Sequence, residues 1–281
     1  MTAIPENPAA NVAARSLRGH LSVVCAPDER GVSILRRQSF RAPLHLSKPH
    51  WDAGSLVVNV VNPTAGLFDG DEVSVEAEVE GGASLVLTSP SATRVFRSRS
   101  GRPATVMQRL QVKSGGFLEV FPEAFIPQAA ARYRQQTTVE AEVGAAVIFF
   151  EWLAPGRAAM GEAYAFSDLR WETDFMVGGV LAARERFRLR PGDESLAALR
   201  WMGPETHYIG CLVAGIDDWP AQALEALGSE AVYLGHGPLT GQGRVIKALC
   251  RDSLAARRTM HGIRQALYRA MGRPVPGLGR F

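Results

Sequence analysis

Carboxylates set among apolar, strand-forming residues are the groups in this chain best placed to do chemistry. Asp69, Asp71, Glu72, Glu123, Glu151, Glu162, Asp174 and Glu185 all lie within or beside such stretches. A carboxylate withdrawn from water is costly unless it is paired, hydrogen-bonded, or in contact with a cation or water. Arg94, Arg97, Arg157, Arg184 and Arg186 are available as partners. Three readings follow: structural ion pairs, which is the ordinary one; an exposed surface of mixed charge; and a water-filled, acid-lined path for a divalent cation.

Nitrogen and sulfur donors are sparser. His207 and Cys211 stand four residues apart in THYIGCLVAG, on one face of a regular strand. A borderline metal such as nickel or zinc takes both donor types, but a free cysteine among apolar residues is also ordinary core. His45 and His50 occupy a proline-rich loop, and His236 and His261 are no more specific. Cys25, Cys211 and Cys250 are widely spaced and form neither a CxxC nor a disulfide framework. The chain contains no GxxxxGK[ST], no GxGxxG opening a helix and no GxSxG. Gly66 and Gly70 flank Asp69, and Asp71 and Glu72 follow, so this loop repels phosphate.

The elements that must position these groups are written as a repeated pattern. VEAEVEGGASLVL (Val75–Leu87), LQVKSGGFLEV (Leu110–Val120) and TTVEAEVGAAVIFFEW (Thr137–Trp152) each join an alternating arm, a glycine turn and a second hydrophobic arm. Period-two alternation places every second side chain on one sheet face, and glycine allows the reversal. The Gly-Gly pairs at 81–82, 115–116 and 178–179 are read as hairpin turns. Residues 1–17 are predicted to be a disordered tail, and 18–281 a single β-rich domain with its helices mostly after residue 190. WPAQALEALGSE has helical composition, and the span from Gly243 to Met271 reads as mostly helix.

The 281 residues are 46% hydrophobic and 21% charged with a formal charge of +3, a globular profile too weakly basic to imply nucleic-acid binding. The N-terminus carries no apolar signal region, and AAVIFFEWLA is too short to span a bilayer, so a cytoplasmic location is expected.

Four motifs in order carry a resemblance. They are VNPTAG with Gly70-Asp71, SPSATRVF (Ser89–Phe96), LEVFPEAFIP (Leu118–Pro127) and GRAAMGE (Gly156–Glu162). Together they resemble the UreD/UreH family of urease accessory proteins, whose usual forms are VNPGGGLVxGD, TTQSATRVY, LEWLPxExIPF and GRxAxGE. This chain has Thr64 and Ala65 for two glycines, Pro90 for Gln, Phe96 for Tyr and Val120 for Trp.

The resemblance implies a non-enzymatic maturation factor with a mainly β fold: a layered, helically wound strand scaffold with a small C-terminal α-helical part. It implies binding to the urease apoprotein, a UreF-like protein and a UreG-like GTPase, with no permanent cofactor and Ni²⁺ in transit through an internal water-filled passage. Asp71, Glu123, Glu162 and Glu185 are the expected passage carboxylates, since oxygen donors ease a cation through without the slow release of nitrogen and sulfur coordination. Arg264, Tyr268 and Met271 are the expected partner contacts. A purely structural adaptor, with nickel passing elsewhere, is the alternative. A β-scaffold hydrolase assembled only in three dimensions is a more distant one.

Overall fold

A computed structural model describes residues 16–278. The repeated arms do not fold back on themselves. Each alternating arm enters one sheet, turns at its glycine, and continues into a second sheet packed face to face with the first. The first sheet runs in the order Val180–Leu189, Asp168–Val177, Arg132–Ala141, Ala104–Val112, Glu72–Val79, Arg18–Pro27 and Ser33–Arg41. Its five inner strands are parallel, and the two outermost pair antiparallel. In the second sheet Ser55–Val61, Ser84–Thr88, Phe117–Phe121 and Ala146–Leu153 are parallel. His207–Ala214, Arg244–Cys250 and Val232–Pro238 extend that sheet antiparallel.

Consecutive passes therefore stack as coils of a β-solenoid-like winding, each pass pairing with the one before and after it. The fold class expected from the family resemblance holds: mainly β, layered and helically wound, with a small C-terminal helical part. The hairpin reading holds at Gly178–Gly179, where Asp168–Val177 returns as Val180–Leu189. It fails at 81–82 and 115–116, which are corners between sheets. Gly82, Gly115 and Gly144 sit at φ of +79°, +75° and +81°, a region that side-chain-bearing residues rarely occupy. The corners form a ladder of their own, with Gly82 N–H donating to the Gly115 carbonyl at 3.1 Å and Gly115 N–H to that of Gly144 at 3.0 Å.

The two sheets bury their strands differently, for a reason visible in their sequences. Strand Arg132–Ala141 alternates exposed or half-exposed with buried residues, because its outer face meets solvent. Strands Ala146–Leu153 and His207–Ala214 are buried almost throughout. Their inner faces pack on the first sheet, and their outer faces are covered by helices α2 (Ala221–Glu225) and α3 (Ser253–Ala270) together with the C-terminal segment, while α1 (Glu194–Leu199) buries Leu196 and Leu199 in the core between the sheets. A strand covered on both sides reads as an unbroken apolar run.

The expected helix over 243–271 is divided. Arg244–Cys250 is a strand, with Ile246, Ala248 and Cys250 buried on one face. Helix α3 begins after Asp252, whose carboxylate accepts the Ala255 N–H at 2.8 Å as an N-cap. Gly262 does not interrupt it. A Cβ there would lie 2.6 Å from Leu227 Cδ2, so the glycine lets the loop after α2 pack closely. Of the expected N-terminal tail, residues 1–15 lie outside the described residues, while the Leu17 N–H is held by Asp71 at 2.8 Å. No helix among the described residues is long and apolar enough to cross a membrane.

Candidate functional site: an inter-sheet cavity

At the end of the coils opposite the glycine corners, the two sheets part around a cavity of about 340 Å³. Much of its wall is apolar, from residues such as Val73, Val106, Leu87 and Phe149. Polar groups reach it from both sheets and from the loops: Asn62, Ser89, Thr93, Gln108, Tyr133 and Gln135, with two carboxylates, Glu123 and Glu151. The loops bearing the first three family-like motifs border this space.

These loops are stitched to one another. Leu67 N–H donates to the Arg94 carbonyl at 2.8 Å and Phe96 N–H to that of Leu67 at 2.9 Å. Thr93–Val95 pairs in parallel with Phe125–Pro127. Gly66 passes so close to Arg94 that a Cβ would collide with the Arg94 carbonyl oxygen, and its φ is +150°. Asn62 organises the turn by accepting from Thr64 N–H at 3.0 Å and from the Thr64 hydroxyl at 2.7 Å. Asp69 does likewise for the facing loop, accepting from the Ser98 hydroxyl and from the Ser100 N–H at 2.7 Å. Burial raises the pKa of its carboxyl, but these hydrogen bonds from Ser100, Ser98 and Arg99 hold it below the usual range.

The four expected passage carboxylates occupy separate positions. Glu123 lies on the cavity wall and forms a bidentate pair with Arg257 of α3, both contacts at 3.0 Å. Asp71 is buried and accepts from the Leu17 and Phe68 N–H groups, each at 2.8 Å, so its carboxylate closes the 64–72 loop. Glu162 pairs with Arg157 across the two-stranded ribbon of Gly156–Arg157 and Glu162–Ala163, and accepts the Ala129 N–H at 3.1 Å. The Arg157 hydrogen bond, aided by that of Ala129, lowers its pKa. Glu185 pairs with Lys247 at 2.8 Å. Of the four, Glu123 alone is part of the cavity wall.

Glu151 is the cavity carboxylate that the set of four omitted. It is 7% exposed, and its Oε1 accepts from Trp171 Nε1 at 2.7 Å and from the Thr173 hydroxyl at 2.8 Å. Desolvation pushes its pKa up to about 7 against the pull of those two hydrogen bonds, and the nearby Glu185 adds to the rise. On its other side is a void of about 10 Å³ lined by Leu153, Leu169, Phe187, Leu199 and Tyr208 as well as Glu151 and Trp171, room for roughly one water. Glu151 therefore stands between two spaces. Its signal in the sequence is an acid inside the apolar run AAVIFFEWLA, on a strand buried on both faces.

The nitrogen and sulfur donors do not gather. His207 accepts from Trp152 Nε1 at 3.0 Å through Nδ1, and burial lowers its pKa to about 4, so it is neutral at physiological pH. Cys211 is fully buried in the apolar layer under α2 and α3. Among the described residues no three His, Cys, Asp or Glu side chains converge as a metal-binding group.

Two of the expected partner contacts face inward. Arg264 and Tyr268 are 2% and 0% exposed, and both bind the fully buried Glu119. The Arg264 guanidinium donates to Glu119 at 2.5 and 2.7 Å and to the Pro276 carbonyl at 2.8 Å, and the Tyr268 hydroxyl donates to Glu119 at 2.7 Å. Neither presents a side chain to solvent here. Met271 is partly buried at the end of α3. The amphipathic pattern could indicate one helical face but not that this face covers the chain's own sheet.

Comparison with known proteins bears on this geometry. The model of the UreD urease accessory protein family matches residues 17–278, nearly all of the chain. The chain belongs to the UreD family. UreD-family proteins similar to it include the urease accessory protein UreD of Opitutus terrae, 41% identical over 263 residues covering 91% of this chain and 96% of that protein. UreD of Actinomyces naeslundii is 34% identical over 195 residues, covering 68% and 71%. UreD of Deinococcus radiodurans is 34% identical over 186 residues, covering 66% and 67%. The role of the UreD family is accessory to urease maturation in a nickel chaperone complex, and is not itself catalytic.

Proposed function

We propose that this UreD-family chain binds apo-urease together with UreF-like and UreG-like partners, and that Ni²⁺ travels through the inter-sheet cavity on its way to the urease active site. The observation that carries the passage is the placement of Glu151, a buried carboxylate between a large cavity and a smaller void. Glu123 contributes a second carboxylate at the cavity wall. Hydroxyl and amide oxygens of Ser89, Thr93, Gln108 and Gln135 supply further weak, exchangeable oxygen contacts along the wall. Asp71, Glu162 and Glu185 act one layer out. Asp71 fixes a border loop, Glu185 tunes the field at Glu151, and Glu162 braces the 156–163 ribbon. Met271 and the exposed residues of α3 are the proposed contacts for the UreF-like partner.

The structural-adaptor reading has a specific observation in its favour. The cavity wall is largely apolar, and Asp71, Glu162 and Glu185 are all engaged by internal partners. One experiment separates the two. Glu123→Gln and Glu151→Gln chains are co-expressed with the urease subunits and both accessory partners, the complex is captured, and nickel per urease active site is counted. A passage predicts normal capture with reduced nickel loading, most for Glu151→Gln. Normal capture with normal loading in both variants and in their combination leaves the adaptor reading standing instead.

A further inference from the structure

The outer face of the first sheet carries charge in an uneven way. Strand pairing aligns Arg188, Arg170 and Arg134 in one row across three adjacent strands. In the neighbouring row Arg132 lies opposite Asp168, and Arg190 donates to Asp168 at 2.7 Å. Arg170 and Arg188 approach the same carboxylate at 3.4 and 3.9 Å. Three guanidinium groups, those of Arg170, Arg188 and Arg190, thus share Asp168, and among the described residues it is the one carboxylate in ion-pair contact with them.

The next rows of the same face show that the excess is local. There Arg184 and Arg186 are matched by Asp174, at 3.0 and 2.8 Å, and Arg186 also reaches Glu172. Farther across, Arg109 pairs with Glu140 at 3.5 Å. Like charges at directly opposed positions repel, so the Arg188–Arg170–Arg134 row is a standing cost to the isolated chain. One further feature marks missing acceptors. Arg132 and Arg134 are exposed, and among the described residues no carboxylate lies within ion-pair distance of either.

We propose that this arginine patch is a docking surface for a short acidic segment of a partner protein, rich in Asp and Glu and lying across the three strands. Guanidinium forks at successive strand positions suit carboxylates, which accept them in bidentate fashion. A nucleic-acid backbone fits less well. It needs a long positive track, and here Glu172, Asp174 and Glu140 bound the patch along the strands. The surface lies on the outside of the first sheet and is independent of the cavity, so it stands or falls apart from the nickel passage.

The test uses the full chain and a fluorescent oligoglutamate peptide as probe, with binding read by anisotropy at several salt concentrations. Arg132→Gln/Arg134→Gln removes two unpaired cations from a solvent-facing strand surface, and Arg109→Gln in the balanced region is the control. The double variant should weaken probe binding roughly tenfold, the modest effect expected of two exposed charge pairs. It should also flatten the salt dependence, while the control changes neither. Equal binding by the double variant and the native chain overturns the proposal. So does tighter binding of single-stranded RNA than of the peptide at matched salt, or a self-association of the chain that the double variant abolishes. Thermal melts of both variants establish that a loss of binding is not a loss of fold.

Discussion

Glu151→Gln makes the sharpest test of how this interior handles charge, because the expected effect changes with pH in a defined direction. In the folded chain the Glu151 carboxyl titrates at about 7, against an ordinary value of 4.5. Between those values the folded state holds a proton that the unfolded state has released. Stability attributable to this group is therefore fully present below pH 4.5 and is lost as pH rises through 7. Each pH unit of separation is worth about 1.4 kcal/mol, so ionised Glu151 costs on the order of 3 kcal/mol at pH 8.

Glutamine keeps the shape and can still accept from Trp171 and Thr173 through its amide oxygen, but it never ionises. Urea unfolding of both proteins from pH 4.5 to pH 8 should give curves that coincide at the acid end and separate by ~3 kcal/mol at the alkaline end, with Glu151→Gln the more stable. A constant difference across the range would refute the assignment of a raised carboxyl pKa to burial. The same substitution is the one expected to lower nickel loading. A variant both more stable and less able to load nickel would separate function from folding.

His207 should behave in the opposite sense. Burial lowers its pKa from 6.5 to about 4, so its contribution is intact above pH 6.5 and lost as pH falls toward 4, and His207→Gln should flatten that acid limb in the same urea series. Glu119→Gln should destabilise the chain by ~3–5 kcal/mol because it strands the Arg264 charge, whereas Glu119→Leu with Arg264→Met should recover much of the loss in thermal melts. Gly66→Ala should cost ~1–3 kcal/mol and expose the 62–71 loop to limited proteolysis, since its backbone conformation and its contact with Arg94 both exclude a side chain.

The parts of the fold legible in the sequence are those fixed by near neighbours. Alternation in VEAEVE and RYRQQTTVEA marks strands with one wet face, and the run AVIFFEWL marks a strand covered on both sides. What alternation cannot say is where a strand finds its partner. The arm after Gly82 looks like the return of a hairpin, yet Ser84–Thr88 pairs with Ser55–Val61 and Phe117–Phe121, a coil away in either direction. Arg244–Cys250 is masked within a helical window because its alternation spans only seven residues and adjoins an eighteen-residue helix. The motifs located the loops around the cavity but not the side chains that face it. Asp71 and Glu123 are both motif acids, yet one binds backbone N–H groups and the other lies on the cavity wall.

The inward turn of Arg264 and Tyr268 alters what α3 can do. Arg257 and Arg264 are two helical turns apart and so share a face. They hold Glu123 and Glu119 respectively, acids from one strand and the loop that follows it. Arg257 also lies over the Trp152 ring, at 5.6 Å, and Trp152 donates to His207. One end of this helix is thus latched deep in the second sheet, while the other grips a cavity-wall carboxylate through a half-exposed guanidinium. A partner bound to the outer face of α3 need not touch the cavity to affect it. Competition for Arg257 by an acidic partner group would remove the bidentate contact that Arg257 makes to Glu123, leaving the Arg264 latch and the fold in place. Arg257→Gln should mimic that loss. It should leave the stability contributed by the Glu119–Arg264 pair intact while changing nickel loading in the co-expressed complex, and unchanged loading would show that the Glu123–Arg257 pair is only structural.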